Sequence, residues 1–345
     1  LYDQMVLPRE SLNSAMSRLK IVSGLDIAER RRPQDGRFST RDDGNKEYDV
    51  RLSIMPTVYG EKACMRLLLR TGNVANIETL GFLPDQQRRF DGFVAKPHGL
   101  ILVTGPTGSG KTTTLYAALA SINEPTLNIN TVEDPVEYRL PGINQVQVNP
   151  KIGLTFATGL RTLVRQDPDV ILVGEVRDRE TAEISVQAAL TGHLVLSSLH
   201  TNDAPGALVR LQNMGVEPFL IASAVIGVIG PRLLRTVCPF CREQEMMTAE
   251  MAESLGLPGV PTPVVRGHGC KRCNNRGTKG RQAAFEVMAM SDGLRKAVLE
   301  GASGADVHRI ACEEGMRTMR QAALQKVLDG KVPPEEIVRV FAHED

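Results

Sequence analysis

The sequence predicts an α/β protein whose central parallel sheet is covered on both faces. A smaller α+β domain should precede it, and a cysteine-bearing subdomain and helical C-terminus should follow. Three observations lead there. From residue 98 onward, short and fully apolar runs alternate with helical segments, the pattern of strands buried by crossover helices. A glycine-rich loop joins the first of these runs to a helical segment, and two Cys-x-x-Cys pairs follow the last. The 345 residues, 42% apolar and 23% charged, suffice for two or three domains and exclude a mainly disordered or fibrous chain.

Residues 1–70 form the N-terminal α+β domain. Leu12, Ala15, Met16, Leu19 and Val22 fall at helical spacing within 11–25, and Arg30-Arg31-Arg32-Pro33 breaks the pattern. Asp35-Gly36 and Asp43-Gly44 read as turns bracketing Arg37-Phe38-Ser39-Thr40. Residues 47–55 read as a strand and 64–69 as a further apolar segment. The start at Leu1 suggests a domain truncated at its beginning, and no secretory signal is expected. Residues 71–97, with Gly72, Gly81, Pro84 and Pro97, read as a connection carrying one helix.

The core spans 98–235, with strands at 100–104, 127–132, 170–173 and 194–199. Each ends in a polar cluster: 105–113, Glu133-Asp134, Glu175, and His200-Thr201. Open α/β sheets bind ligands at the carboxyl ends of their strands, so four clusters imply one site. The longest nearly apolar run, 219–230, is too short to span a bilayer. The cysteine subdomain covers 236–285. Helices near 292–299, 304–314 and 318–328 fill the region 286–345.

Gly105-Pro106-Thr107-Gly108-Ser109-Gly110-Lys111-Thr112 fits the pattern G-x-x-x-x-G-K-[ST] at every fixed position, with Thr113 following. Glycines let consecutive N–H groups turn inward onto phosphate oxygens, and the helix beyond adds its positive end. Lys111 is expected to reach the β- and γ-phosphates and Thr112 to hold Mg²⁺. The motif therefore specifies a nucleoside-triphosphate site. The apolar run before Glu175 delivers a carboxylate suited to ordering the same Mg²⁺, while Asp169 at its start suits a turn or cap. Glu133 is the candidate to orient or deprotonate the attacking water, with Asp134 and Glu137 as weaker choices. His200, beside Thr201 and Asn202, suits sensing of the γ-phosphate, and His193 reads as a packed residue.

Cys238, Cys241, Cys270 and Cys273 form two pairs able to close a tetrahedral site, the arrangement of structural Zn²⁺. Residues 256–269 are expected to loop out between the pairs, and His268 could compete as a ligand, yet four cysteines already fill the site. Cys64 and Cys312 read as packing residues. Few cysteines, mostly in metal spacing, suit a reducing, cytoplasmic setting. Lys+Arg 41 against Asp+Glu 40, no Trp and 4% aromatics count against a nucleic-acid coat or a base-stacking surface.

On these motifs the chain resembles the secretion-system and pilus-assembly ATPases of bacterial type II secretion and type IV pili. The resemblance runs through the phosphate loop, Glu133-Asp134-Pro135-Val136-Glu137 (the family's Asp box), 165–178 (its Walker B region) and 192–203 (its His box). It implies a RecA-like, hexameric, ATP-driven motor using Mg²⁺. Glu133 would be catalytic in it, Glu175 would serve Mg²⁺, and Arg51, Arg66, Arg161 and Arg165 would be supplied to the nucleotide, with Arg37 a weaker fifth. It also implies inner-membrane secretion or pilus assembly proteins as partners, with membrane association only through them and no direct nucleic acid. Extension and export motors of this family carry a cysteine quartet and retraction motors generally lack it, which favours assembly. Two departures are Pro231, where the family often has Gln, and Gly280-Arg281-Gln282-Ala283, where it has Gly-Arg-x-Gly. The rival readings are a RecA-like helicase or recombinase and a nucleotide-binding regulatory module with little turnover.

Overall fold

The computed structural model describes residues 5–69 and 76–342. Leu1, Gly72 and the expected boundary at 70/71 lie outside them. The chain forms two compact units, Leu1–Asn73 with Val136–Leu140, and Val74–Pro135 with Pro141–Asp345.

In the first unit, helix α1 (Ser11–Val22) packs on an antiparallel sheet of β1 (Gln34–Arg41), β2 (Glu47–Thr57) and β3 (Gly60–Leu69), in that order. Alternation along β2 turns Val50, Leu52 and Ile54 inward, where Leu52 and Ile54 meet Met16 of α1. Lys20 is buried, pairs with Glu61 at 2.6 Å and donates to the Glu29 carbonyl at 2.7 Å, which ties α1 to β3. Two expectations fail here. Asp35-Gly36 is no turn but lies inside β1, because Gly36 pairs directly with Leu52. Cys64 is exposed, because it pairs with Ser53 on the sheet face turned away from α1.

The second unit opens with α2 (Ile77–Leu80) and α3 (Pro84–Val94), two helices where one was expected. There follow β4 (Gly99–Thr104), α4 (Lys111–Ile122), β5 (Ile129–Glu133), β6 (Asn144–Gln147), α5 (Phe156–Leu163), β7 (Val170–Val173), α6 (Arg179–Leu190), β8 (Leu194–Leu199), α7 (Ala204–Asn213), α8 (Pro218–Ala224) and β9 (Val225–Val237). The region after it holds β10 (Arg242–Met247), α9 (Ala249–Ser254), β11 (Thr262–Gly267) and β12 (Thr278–Ala289), then α10 (Asp292–Leu299), α11 (Gly304–Glu313), α12 (Met319–Leu328) and α13 (Glu335–Phe341). The seven-stranded sheet runs β12-β9-β4-β8-β7-β5-β6. All neighbours are parallel except β12 with β9.

Every residue of β4, β5, β7 and β8 is buried, as a sheet covered on both faces requires. Their carboxyl ends lie along one edge, and side-chain caps anchor the helices beyond it. Asp178 caps α6 through the Thr181 N–H at 2.8 Å, and Asp203 caps α7 through the Gly206 N–H at 2.9 Å. The apolar run 219–230 divides between α8 and β9. The segment 256–269 is no simple loop: β11 pairs with β10 in a two-stranded sheet. Among the described residues no helix is long and apolar enough to cross a membrane.

Candidate functional site

The phosphate loop leaves the buried end of β4 and enters α4 at Lys111. Gly105 has φ +152°, and a Cβ there would lie 2.6 Å from Ser109 Oγ, so only glycine allows the turn. The Ser109 hydroxyl is buried without a hydrogen-bond partner among the described residues. An orphan donor inside a loop that opens onto a helix N-terminus fits a phosphate group. Lys111 Nζ donates to the carbonyls of Gly105 at 2.6 Å and Pro106 at 3.2 Å. Burial pushes the Lys111 ammonium below the ordinary lysine value, the Glu175 carboxylate opposes this, and Arg232 adds to it. Thr112 and Thr113 are exposed in the first turn of α4.

The ends of β7 and β8 bring Glu175 and His200 together. Glu175 Oε2 lies 3.4 Å from His200 Nε2, and Oε1 lies 2.5 Å from Arg177 Nη2. The hydrogen bond to Glu175 holds the Arg177 guanidinium above its ordinary value. Thr104 at the end of β4 bonds to Thr201 through both its hydroxyl and the Thr201 N–H, which ties the loop after β8 to the phosphate loop. Arg232 of β9 is buried and donates to the Asn202 carbonyl at 2.8 Å. Its Nη1 would lie 3.3 Å from a Cβ at Gly105. Arg177 and Arg232 were not singled out in the sequence. Arg177 sits two residues past a chosen carboxylate, and Arg232 lies two residues beyond the apolar run 219–230.

Glu133 is 2% exposed, and both its carboxylate oxygens accept hydrogen bonds. Oε1 accepts from the Thr131 hydroxyl at 2.6 Å and from Gln145 Nε2 at 3.2 Å, and Oε2 accepts from the Tyr116 hydroxyl. Asp134 beside it is exposed. Arg161 is exposed and ion-paired with Glu180, while Arg165 is exposed with no side-chain partner among the described residues. Asp169 accepts from the Asn128 N–H at 2.7 Å, and His193 Nδ1 lies 2.9 Å from the Ala188 carbonyl. Both serve local structure.

Within the first unit, register places Arg37 opposite Arg51 and Arg51 opposite Arg66, a row of three guanidinium-bearing residues across three strands. Like charges directly opposite weaken strand pairing. Only Arg51 has an ion-pair partner among the described residues, Glu137 at 3.6 Å.

The four cysteines converge, with all sulfurs within 4.8 Å of one another. Cys238 and Cys270 are 4.0 Å apart, Cys241 and Cys273 3.9 Å, and Cys270 and Cys273 3.7 Å. A tetrahedral ion with Zn–S near 2.3 Å spaces its sulfurs about 3.8 Å apart, so the thiols fit one such ion. Burial pushes the Cys241 thiol up to about 12. At Cys273 burial is outweighed by hydrogen bonds from the Cys270 and Gly277 backbone, which bring it down to about 6. His268 faces Glu245 at 3.0 Å and Glu243 at 3.4 Å and is no part of the cluster.

A family model described as type II/IV secretion system protein matches residues 3–339. Type II secretion system protein E of Dickeya dadantii is 49% identical over 342 residues, which cover 99% of this chain and 68% of that protein. The type IV pilus assembly ATPase PilB of Thermus thermophilus is 50% identical over 335 residues, which cover 96% of this chain but 38% of that protein. Among solved structures, the pilus retraction motor PilT with bound ADP aligns with a TM-score of 0.65 and 26% identity, covering 90% of this chain and 77% of that one. The Legionella pneumophila ATPase DotB aligns with a TM-score of 0.69 at 20% identity over 99% of this chain and 85% of that one, a likeness of fold.

Proposed function

The chain belongs to the type II/IV secretion system protein family, and from that premise we propose that it hydrolyses ATP as one subunit of a hexameric ring that drives pilus or pseudopilus assembly. The observation that carries this reading is the convergence of the phosphate loop, Glu175 and His200 at one edge of the sheet. Residues 105–113 hold the triphosphate, with Lys111 on its β- and γ-phosphates. Thr112 and Glu175 hold Mg²⁺, which would neutralise charge building on the phosphate oxygens when bound. Glu133 takes the proton of the attacking water, and His200 responds to the γ-phosphate. Arg51, Arg66, Arg161 and Arg165 are brought to the nucleotide as the ring closes. Such cations, supplied from outside the loop, stabilise the transition state more than the bound substrate. A row of three arginines of which only Arg51 is ion-paired among the described residues supports this part of the reading, because a tetraanionic ligand would relieve its self-repulsion.

Cys238, Cys241, Cys270 and Cys273 hold one structural Zn²⁺, and their spacing supports that assignment. The ring works on the cytoplasmic side of the inner membrane, which it reaches through partner assembly proteins. Steady-state phosphate release tests the enzymatic reading. Turnover should require Mg²⁺ and vanish in Lys111→Ala together with nucleotide binding. Tight binding of ATP with no release of phosphate would leave a regulatory module instead, and strong stimulation by single-stranded DNA would favour a helicase.

A further inference from the structure

The carboxylate assigned as the base is in a resting arrangement that hides it. Glu133 closes β5, yet its side chain is enclosed under α4, and its two oxygens take hydrogen bonds from Tyr116, Thr131 and Gln145. Thr131 precedes it by two on the same face of β5, and Gln145 lies on the neighbouring β6, opposite Thr131. Both therefore belong to the sheet that carries Glu133. Tyr116 does not. It is a fully buried residue of α4, the helix that begins at Lys111 of the phosphate loop. The Gln145 amide also reaches the Tyr116 hydroxyl, at 3.5 Å. A carboxylate offers about four acceptor sites, and these three donors occupy most of them. A base held this way is poorly placed to accept a proton from water.

We propose that Tyr116 is a positioning residue that latches Glu133 in this sequestered orientation and couples its release to the phosphate-loop helix. The inference rests on the reading of Glu133 as the base. Tyr116 lies five residues beyond Lys111, about 7.5 Å along a rigid helix. Any shift of the first turn of α4, as its N–H groups and Lys111 engage phosphates, is carried to the tyrosine hydroxyl. The hydroxyl is the one donor of the three that α4 carries. Its withdrawal loosens the hold on Glu133, which can then turn toward a water at the strand ends. The base is thereby withheld until phosphates engage the loop, and the hydrogen bond that must break opposes their binding.

The test compares Tyr116→Phe, which keeps the ring and removes the hydroxyl, with Gln145→Met and Glu133→Gln in equilibrium ATP binding and in steady-state phosphate release from pH 5 to 9. Seating the phosphates must break the Tyr116 hydrogen bond, so the latch predicts that Tyr116→Phe lowers the Kd for ATP about three- to tenfold, the factor that one hydrogen bond is worth. At saturating ATP kcat should stay within about twofold, because the bound state has already released the base. The acid limb of the kcat/KM profile, which reports the free enzyme, should move to higher pH, because a carboxylate relieved of a donor protonates more readily. Gln145→Met should move that limb in the same direction and leave the Kd for ATP unchanged, because Gln145 stays with the sheet. A folded Tyr116→Phe with ATP affinity unchanged or weakened, or with an unmoved acid limb, overturns the latch while an inactive Glu133→Gln leaves the base assignment standing. A Glu133→Gln chain that hydrolyses ATP at the wild-type rate overturns both.

Discussion

At the scale of single residues, the proposed chemistry divides into groups that would hold the nucleotide and groups that would act only as it reacts. Lys111 belongs to the first, because its ammonium is seated in the phosphate loop and feels Glu175. Glu133 and the arginines of the first unit belong to the second. Glu133→Gln should keep ATP affinity within a few fold and lower kcat by about 10² or more, read by equilibrium binding and phosphate release. Arg51→Ala and Arg66→Ala should each lower kcat at least tenfold with little change in ATP affinity, by the same two measurements. The phosphate loop, Glu175, His200 and the cysteine quartet were legible in the sequence because each chemistry demands particular residue types at short fixed spacing. Arg232, Arg177 and Tyr116 were not. Arg232 of β9 and Tyr116 of α4 are brought near the site only by the sheet order β9-β4-β8-β7-β5, and Arg177, in the loop after β7, belongs to no short fixed pattern of its own.

At the scale of elements, the strands of the parallel sheet could be read because burial on both faces leaves them uniformly apolar. β6, β10 and β11 could not, since their exposed and half-buried polar residues carry no such signal. Asp35-Gly36 misled for the converse reason: cross-strand pairing with β2 overrides its turn propensity. The cysteine subdomain hangs between β9 and β12, so its metal should be a folding element as much as a ligand. Elemental analysis should find one zinc per chain. Cys238→Ser should lose most of it and open 236–285 to protease, while basal hydrolysis falls less than assembly. A metal-free native protein with paired disulfides would refute this.

A second element-level prediction concerns α12. Its Lys326 is buried, bonds to the Gly81 carbonyl and lies 3.4 Å from Gln282 Oε1. Burial brings this ammonium down to about 8 from 10.5. Between those values the unfolded chain binds the extra proton, so this group makes stability rise with pH from about 8 to 10.5. Below pH 8 its cost is constant at roughly 3 kcal/mol. In urea unfolding the rise should be present in the wild type and missing in Lys326→Met. Parallel curves for the two proteins across that window would contradict the assignment.

At the scale of the whole molecule, the account depends on an arrangement that one chain does not complete alone. The chain spans 38% of the Thermus thermophilus relative and 68% of the Dickeya dadantii relative. What it contains is one unit with the phosphate loop and another with a row of arginines. If those cations act across a closed ring, each active centre depends on its neighbours, and heterologous contacts should let inactive subunits poison a mixture. Excess Glu133→Gln chains mixed with wild type should then depress turnover more steeply than dilution predicts. The most direct measurement is specific ATPase activity against protein concentration, with assembly mass determined on the same samples. The account predicts activity that rises with concentration in step with hexamer formation. A verified monomer with full, concentration-independent activity, unimpaired by Arg51→Ala or Arg66→Ala, would contradict it.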